Sequence, residues 1–179
     1  MRKLVAYTIV SVDGVAEAPE TFLVDFDTVM EANLGEVIAT QDAVLLGRRM
    51  YDEWSSHWPK SDDQPFADFI NNVRKYVATA TPLTTEWTNA ESIQGPVHGF
   101  VRALKAAGGG DIGVHGSISL TRSLLAAGLV DEIRLLVAPR VVGGGRRLFD
   151  DGAAHSLQLV QSTASPSGSL LLQYTVSGD

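Results

Sequence analysis

Short apolar segments alternate with helical segments along most of this chain, and that alternation is the feature that most constrains its fold. The segment Ala43–Gly47 is a continuous apolar run, and a helical pattern begins immediately after it at Arg48. Such a run is typical of a strand that is buried on both faces. Strands alternating with helices predict a largely parallel sheet with helices on both faces. The sequence therefore predicts an α/β fold.

The other elements follow from apolar periodicity and from the residues that end each segment. We expect further strands at Leu4–Val12, Tyr76–Ala80, Ile112–His115 and Ile133–Val137. We expect helices at Asp27–Ala39, from Arg48 to Glu53, at Pro65–Asn72, from Pro96 to Gly108, and at Ile118–Ala127. Ser55–Gln64 is predicted to be a loop, and Leu157–Ser162 and Leu170–Val176 to form a C-terminal antiparallel hairpin.

Composition narrows the class of protein. A chain of 179 residues with 45% hydrophobic residues predicts one domain over residues 1–179. The net charge of −7 without a basic run gives no reason to expect nucleic acid. The chain has no cysteine and its four histidines are scattered, so we expect neither a disulfide nor a metal site. The apolar N-terminal segment is interpreted as a strand rather than a signal peptide, and no run is long enough to span a membrane, so a cytoplasmic location is expected.

Three junctions between a strand and the next segment are candidate ligand sites, because ligands bind outside the carboxyl ends of parallel strands. At Gly47-Arg48-Arg49-Met50, a helix start and two arginines suit a phosphate, or the segment is an ordinary turn with solvated arginines.

At Gly116-Ser117-Ile118, Ser117 either caps a helix or faces a pyrophosphate, and the preceding His115 is by itself more typical of a packed histidine than of a catalyst. Asp13-Gly14 follows the first strand and is alone a weak signal. The run Gly143–Gly145 before Arg146-Arg147 is interpreted as a flexible turn, with an anion contact as the alternative.

Taken in order, these segments resemble the dihydrofolate-reductase-like superfamily, and most closely the C-terminal reductase domain of bifunctional riboflavin-biosynthesis enzymes. The segments that carry the resemblance are Ser11–Gly14, Asp42–Tyr51, Lys75–Thr79, Val114–Ser117, and Gly128–Ile133 continuing through Pro139 and Val142–Gly145 to Phe149. The resemblance implies a three-layer fold with a mostly parallel central sheet of eight or nine strands. It also implies a stand-alone reductase that uses NADPH, with NADH as the alternative cofactor.

The resemblance also assigns cofactor contacts. It implies that Gly47, Arg48, Arg49 and Met50 hold the pyrophosphate, with Arg48 near the adenosine phosphate. It places Thr79, Ala80 and Thr81 at the adenosine ribose and its phosphate. It places Asp13 and Gly14 beside the nicotinamide, and it assigns the other side of the pyrophosphate to His115, Gly116, Ser117 and Ile118.

The chain departs from the family at two of these positions. Met50 stands where relatives usually carry threonine, which removes one phosphate-binding hydroxyl. Ala80 stands where relatives often carry arginine, which removes a contact to the 2′-phosphate and leaves the choice between NADPH and NADH open. The chain also lacks the cysteines of a deaminase zinc site.

The substrate side has one catalytic candidate. Asp27 at the predicted helix start is either a proton donor or a helix cap, with Asp25 and Glu31 as further candidates. Trp58 either stacks on a flat heterocycle or packs in the core. Arg74 is either a substrate-carboxylate ligand, as in folate enzymes, or a surface residue.

Three functions are therefore expected to compete. The first is a reductase acting on a small pterin-like or flavin-precursor-like heterocycle. The second is a ligand-binding module without catalysis. The third is authentic dihydrofolate reduction, which requires Asp27 and Arg74 to meet in one pocket. The resemblance also implies a homodimer, with Glu132–Phe149 as the contact region.

Overall fold

A single eight-stranded sheet organises the computed structural model, which describes residues 1–150, 152 and 154–177. The strands are β1 Leu4–Ser11, β2 Gln41–Gly47, β3 Arg74–Ala78, β4 Ala90–Ser92, β5 Asp111–His115, β6 Glu132–Ala138, β7 Leu157–Ala164 and β8 Leu170–Val176. The helices are α1 Thr28–Ala39, α2 Arg48–His57, α3 Phe66–Asn72, α4 Val97–Ala106 and α5 Ile118–Ala126. Short 3₁₀ turns lie at Pro19–Thr21 and Trp58–Lys60.

The strand order is β4-β3-β2-β5-β1-β6-β8-β7, and the first six strands in this order run parallel. Strand β8 is antiparallel to β6, and β7 is antiparallel to β8. The mostly parallel sheet and the C-terminal antiparallel hairpin predicted from the sequence are therefore confirmed. The central strands β1, β2 and β5 are buried along most of their length, as expected for strands covered on both sides.

Helices cover both faces of the sheet. Helices α1, α2 and α3 pack on one face, where Val37, Tyr51 and Ile70 contact the cluster that contains Val44 and Val77. Helices α4 and α5 pack on the other, through residues such as Val101 and Leu124. The predicted three-layer arrangement is confirmed.

The segment predicted as a loop at Ser55–Gln64 is partly helical. Helix α2 continues to His57 and passes into the 3₁₀ turn at Trp58–Lys60. Aromatic packing explains the difference, because Trp54 and Trp58 both make edge contacts with Phe66 of α3 at centroid distances of 5.5 and 4.8 Å. Burial of these rings holds the extra turn of helix in place.

Two strands also differ from the prediction. Strand β3 begins at Arg74 and ends at Ala78, so Thr79 and Ala80 lie in the segment beyond it. The three-residue strand β4 was not predicted, because Ala90-Glu91-Ser92 carries no apolar pattern and pairs only at the sheet edge.

The C-terminal end of α3 is held by the buried Lys75, whose Nζ donates to the carbonyls of Ile70 (2.7 Å) and Val73 (2.9 Å).

Candidate functional site

The predicted junctions all lie at one end of the sheet, where the parallel strands have their carboxyl ends. Strands β2, β5 and β1 are neighbours, so the segments beginning at Asp13, Arg48 and Gly116 follow the carboxyl ends of three adjacent parallel strands. Strand β3 lies beside β2 and adds the segment Thr79–Thr81. This is the edge at which ligands of parallel sheets bind.

The starts of α2 and α5 are joined directly. Gly47 is the N-cap residue of α2, and its backbone N–H donates to Oγ of Ser117, the N-cap residue of α5, at 3.0 Å. Both N-cap residues lie in the described part of the chain, and neither caps its own helix through a side-chain hydrogen bond. The first-turn N–H groups of two adjacent helices therefore lack a side-chain acceptor, and such groups favour an anion.

The backbone beside these helix starts needs glycine. Gly116 has φ +64°, in the left-handed region that other residues rarely adopt. A Cβ atom at Gly116 would lie 3.0 Å from Cε of Met50. Met50, which stands where relatives usually carry threonine, therefore packs against the junction at Gly116. Its side chain also contacts the buried cluster that contains Tyr51 and Phe66.

Arg48 connects α2 to the segment after β3. Its Nη1 donates to Oγ1 of Thr81 at 2.6 Å and to Oγ1 of Thr79 at 3.3 Å. Its Nε lies 2.9 Å from both carboxylate oxygens of Asp52, one turn later in α2. The three residues expected at the adenosine phosphate are thus brought together, while the exposed Ala80 between the threonines adds no polar group.

Further arginines surround the two helix starts. Arg49 is exposed and pairs with Glu53 at 3.1 Å and with Glu17 at 3.3 Å. Glu17 also accepts the backbone N–H of Arg146, and Nη2 of Arg146 donates to Oγ of Ser119 in the first turn of α5 at 2.7 Å. From the sequence, Arg146 is expected to follow a flexible turn, with an anion contact as the alternative. Glu17 was missed, because no local pattern marks a partner more than a hundred residues away.

Asp13 organises the loop after β6. Its carboxylate accepts hydrogen bonds from Oγ of Ser11 (2.7 Å) and from the backbone N–H groups of Val142 (3.0 Å) and Gly143 (2.8 Å). The Ser11 hydroxyl and these two N–H groups hold the pKa of Asp13 well below its usual value. Gly14 follows with φ +81°. The Asp13-Gly14 turn therefore fixes the position of the glycine run Gly143–Gly145, and its expected contact with the nicotinamide stays a prediction.

The side chain of His115 lies in the interior of the fold, as the packed-histidine interpretation predicts, and the expected contact of this residue with the cofactor stays a prediction. It is buried among Tyr7, Phe66 and Phe69, and Nε2 lies 2.8 Å from Oε1 of Gln41. Burial lowers the pKa of His115 to about 3, so the ring is neutral at physiological pH. Ile118 likewise packs its side chain against Val10 and Leu148, leaving only its backbone for a ligand.

Asp27 is a helix cap in this structure. Its Oδ1 accepts the N–H groups of Val29 and Met30 at 3.1 Å each, and Oδ2 accepts the N–H of Ser167 at 3.2 Å. Burial raises the pKa of Asp27, but hydrogen bonds from Met30 and from the serines of the β7–β8 turn outweigh it and lower the pKa to about 2. An ionised carboxylate with both oxygens engaged is poorly suited to donate a proton. The structure thus favours the cap over the general acid.

Trp58 and Arg74 are also placed by the structure. Trp58 is half-buried and packs edge-on against Trp54 and Phe66, which favours packing over an exposed stacking platform. Arg74 is exposed and lies 3.9 Å from Glu91 of β4, at the sheet edge opposite the β7–β8 turn that contacts Asp27. The structure does not bring Asp27 and Arg74 into one pocket, so the condition that authentic dihydrofolate reduction requires is not met.

Residues 1–150, 152 and 154–177 contain no helix of sufficient length and hydropathy to cross a bilayer. The same residues contain no cluster of three or more histidine or acidic side chains arranged to hold a metal ion.

Comparisons with known proteins agree with this fold. The uncharacterized protein YyaP of Bacillus subtilis (strain 168) is 29% identical over 184 residues, which cover 99% of this chain and 96% of YyaP. A putative riboflavin biosynthesis protein from Shewanella sp. PV-4 superposes with a TM-score of 0.78 at 17% identity, covering 98% of this chain and 99% of that one.

Two further solved structures are similar. A pyrimidine reductase-like protein from Corynebacterium diphtheriae has a TM-score of 0.67 at 18% identity, covering 99% of this chain and 93% of that one. A dihydrofolate reductase from Enterococcus faecalis has a TM-score of 0.64 at 12% identity, covering 98% and 97%. Both show the dihydrofolate-reductase-like fold.

The family comparison covers almost the whole chain. Residues 2–171 match the RibD C-terminal domain, and they include the junctions at Asp13, Gly47, Thr79 and Gly116. The chain therefore belongs to the RibD C-terminal domain family.

Proposed function

We propose that this protein is a reductase that transfers a hydride from NADPH to a small heterocycle of the pyrimidine, pterin or flavin-precursor type. The observation that carries the proposal is the pair of adjacent helix starts at Gly47 and Ser117, joined by a hydrogen bond and lacking side-chain caps. Two such starts suit the two phosphates of a dinucleotide. Family membership and the reductase-like neighbours support the same reaction class.

The residues present fit the cofactor. The N–H groups of Arg48–Met50 and of Ile118 and Ser119 would hold the pyrophosphate. The guanidinium of Arg48, with the hydroxyls of Thr79 and Thr81, would hold the adenosine 2′-phosphate. Asp52 neutralises part of the charge on Arg48, so the preference for NADPH over NADH is expected to be modest. When bound, the nicotinamide supplies the hydride.

The test is a fluorescence titration with NADPH and, separately, NADH. We expect Arg48→Ala to weaken NADPH binding by about tenfold or more, because it removes a charge-assisted hydrogen bond worth roughly 1.5–3 kcal/mol. The affinity for NADH should change less. Arg74→Ala is the matched control, because Arg74 is exposed at β3's amino end, away from the helix starts.

A melting curve of each variant checks that the fold is retained. An unchanged NADPH dissociation constant in Arg48→Ala would remove this residue from the site. Failure of the wild type to bind either dinucleotide would overturn the proposal as a whole.

The position of Asp27 favours one rival function, a binding module without catalysis. Asp27, the first of the carboxylates considered as a proton donor, is ionised and engaged in capping. The reductase and the binding module are distinguished by following the absorbance of NADPH in the presence of a panel of pyrimidines, pterins and flavin precursors. Oxidation of NADPH by any of these compounds supports the reductase, whereas tight binding without oxidation supports the module.

A further inference from the structure

A cavity lies at the end of the sheet opposite the candidate cofactor site. It has a volume of about 140 Å³ and is bounded by the C-terminal half of α1, by the first residues of β1, β5 and β6, and by Gln173 of β8. One water molecule needs roughly 10–15 Å³ of such space, so the cavity has room for a small organic molecule. At about 3.3 Å per residue, the length of β1 separates Val5 in its wall from the Asp13-Gly14 turn by roughly 25 Å.

Glu132, the first residue of β6, presents an incompletely paired carboxylate to this cavity. The residue is 4% exposed, and its Oε1 accepts a hydrogen bond from Nε of Arg134 at 2.5 Å. Its Oε2 lies 3.8 Å from Nζ of Lys3, beyond hydrogen-bond distance, and accepts no hydrogen bond from the residues that the structure describes. The side chain of Lys3 is itself 63% exposed, so its ammonium group is hydrated. Because polar atoms of buried side chains almost always have a hydrogen-bond partner, Oε2 indicates a donor that enters from the cavity.

Arg134 adds a positive group on the same side of β6. It follows Glu132 by two residues, and the pairing of Glu132 with Val5 turns this side of the strand towards α1, where Val5 packs in one cluster with Val37. Glu132 occupies Nε of Arg134, whereas Nη1 and Nη2 donate to none of the side chains or carbonyls in the described part of the chain. This free edge of the guanidinium has the geometry that binds both oxygens of a carboxylate.

The charges in the wall select the class of ligand. Lys3 and Arg134 are basic, whereas Glu36, Asp111 and Glu132 are acidic. A simple anion would meet the three carboxylates, and a simple cation would leave the guanidinium edge unpaired. A metal ion is disfavoured, because the described residues contain no group of three or more histidine or acidic side chains that could hold one. A molecule that carries both an ammonium and a carboxylate group pairs with Glu132 and with Arg134 at the same time.

We propose that this cavity binds a small zwitterion of the α-amino-acid type. The ammonium group donates to Oε2 of Glu132, and the carboxylate accepts from Nη1 and Nη2 of Arg134. Val5 and Val37, the two apolar residues of the wall, contact a short aliphatic side chain. The site is a strand length away from the helix starts at Gly47 and Ser117, so its occupation does not depend on the proposed reductase function.

The test is isothermal titration calorimetry of the whole chain with L-alanine, ethylamine and propionate. Ethylamine is alanine without its carboxylate, and propionate is alanine without its ammonium group. We expect L-alanine to bind saturably with a dissociation constant below about 10 mM. Ethylamine and propionate should each bind at least about tenfold more weakly, because each leaves either Arg134 or Glu132 without its partner.

Substitutions test the two charged residues. Glu132→Gln should weaken the binding of L-alanine by about tenfold or more, because the amide carries no charge to pair with the ammonium group. Glu91→Gln is the matched control, since it makes the same change at an exposed position in the edge strand β4. If Glu132→Gln does not fold, as judged by circular dichroism, Arg134→Lys makes the same comparison, because lysine cannot form two parallel hydrogen bonds with a carboxylate.

Amide chemical shifts of the wild type locate the ligand without any substitution. The resonances of Val37 and Glu132 should move on addition of L-alanine, and those of Gly47 and Ser117 should not. No binding of L-alanine up to about 20 mM, or equal affinity for ethylamine or propionate, would overturn the zwitterion site. Unchanged affinity in Glu132→Gln, an equal loss in Glu91→Gln, or shifts confined to other parts of the chain would overturn its placement. NADPH binding is titrated separately, so failure of the reductase proposal leaves these outcomes unaffected.

Discussion

His115 is a neutral histidine in the interior of the sheet. Its ring lies 5.3 Å from that of Phe66 and 5.8 Å from that of Tyr7, and burial lowers its pKa to about 3. In the unfolded chain the same side chain titrates near pH 6.5. Between these two values the unfolded state binds a proton that the folded state does not, so stability falls as the pH falls through this window.

We expect the protonation of His115 in the unfolded chain to be visible in the pH dependence of the wild type's free energy of unfolding. Between pH 7 and pH 5, the free energy of unfolding should decrease by about 2 kcal/mol. Asp13 and Asp27 lose their contributions only below about pH 4, where carboxylates protonate in the unfolded chain. His115→Gln should therefore flatten the pH dependence above pH 5, measured by urea unfolding at a series of pH values. His155→Gln, at an exposed position, is the control and should keep the wild-type slope.

Helix α1 shows how one carboxylate can link separate elements. Asp27 caps the first turn through Val29 and Met30, and its other oxygen binds the turn between β7 and β8 at Ser167. The cap stabilises the helix, and the second contact ties its first turn to the turn between β7 and β8. The pKa of about 2 follows from these hydrogen bonds and describes a structural carboxylate.

Two substitutions separate the cap from a catalytic acid. Asp27→Ala should lower the free energy of unfolding by about 1 kcal/mol, because the first turn loses its acceptor. Asp27→Ser retains a capping oxygen and should stay close to the wild type in stability. If turnover also survives in Asp27→Ser, the residue is only a cap, whereas loss of turnover with retained stability and cofactor affinity would assign it a role in catalysis. Glu36→Ala, at an exposed position near the end of α1, is the control for both measurements.

Helix α2 extends beyond its predicted end, to His57. Tyr51, Trp54, Ser55 and Trp58 follow the i, i+3, i+4, i+7 spacing of one helical face. That spacing is typical of a longer helix, although the segment from Ser55 to Gln64 has a loop-forming composition. Packing of Trp54 and Trp58 on Phe66 decides in favour of the helix, and Phe66 lies in a different element.

For the whole molecule, cofactor binding should be visible as stability. A ligand that binds only the folded state at a hundred times its dissociation constant stabilises it by about 2.7 kcal/mol. For a chain of this length, NADPH at that concentration should raise the melting temperature by roughly 5–10 °C. Differential scanning fluorimetry measures the shift, with Arg48→Ala at the same NADPH concentration as the comparison. An absent shift in the wild type would count against a preformed dinucleotide site.

The sequence by itself determined the order of elements and the junctions that form the candidate site. Apolar periodicity, glycines and helix starts are local signals, and they were sufficient for the parallel strands other than β4, for the C-terminal hairpin and for the segments at Asp13, Gly47 and Gly116. The expected meeting of Arg48 with Thr79 and Thr81 came from the resemblance to the family rather than from a local signal, and the three side chains do lie within hydrogen-bonding distance.

Only the tertiary structure decided what the individual polar side chains do. Asp27 contacts Ser167, 140 residues away, and His115 contacts Gln41, 74 residues away. Such partners are set by strand order and helix packing, which no local pattern contains. The same holds for strand β7: its alternation predicts one apolar side, but only the packing of β7 beside β8 shows that Leu157 and Leu159 on this side stay exposed.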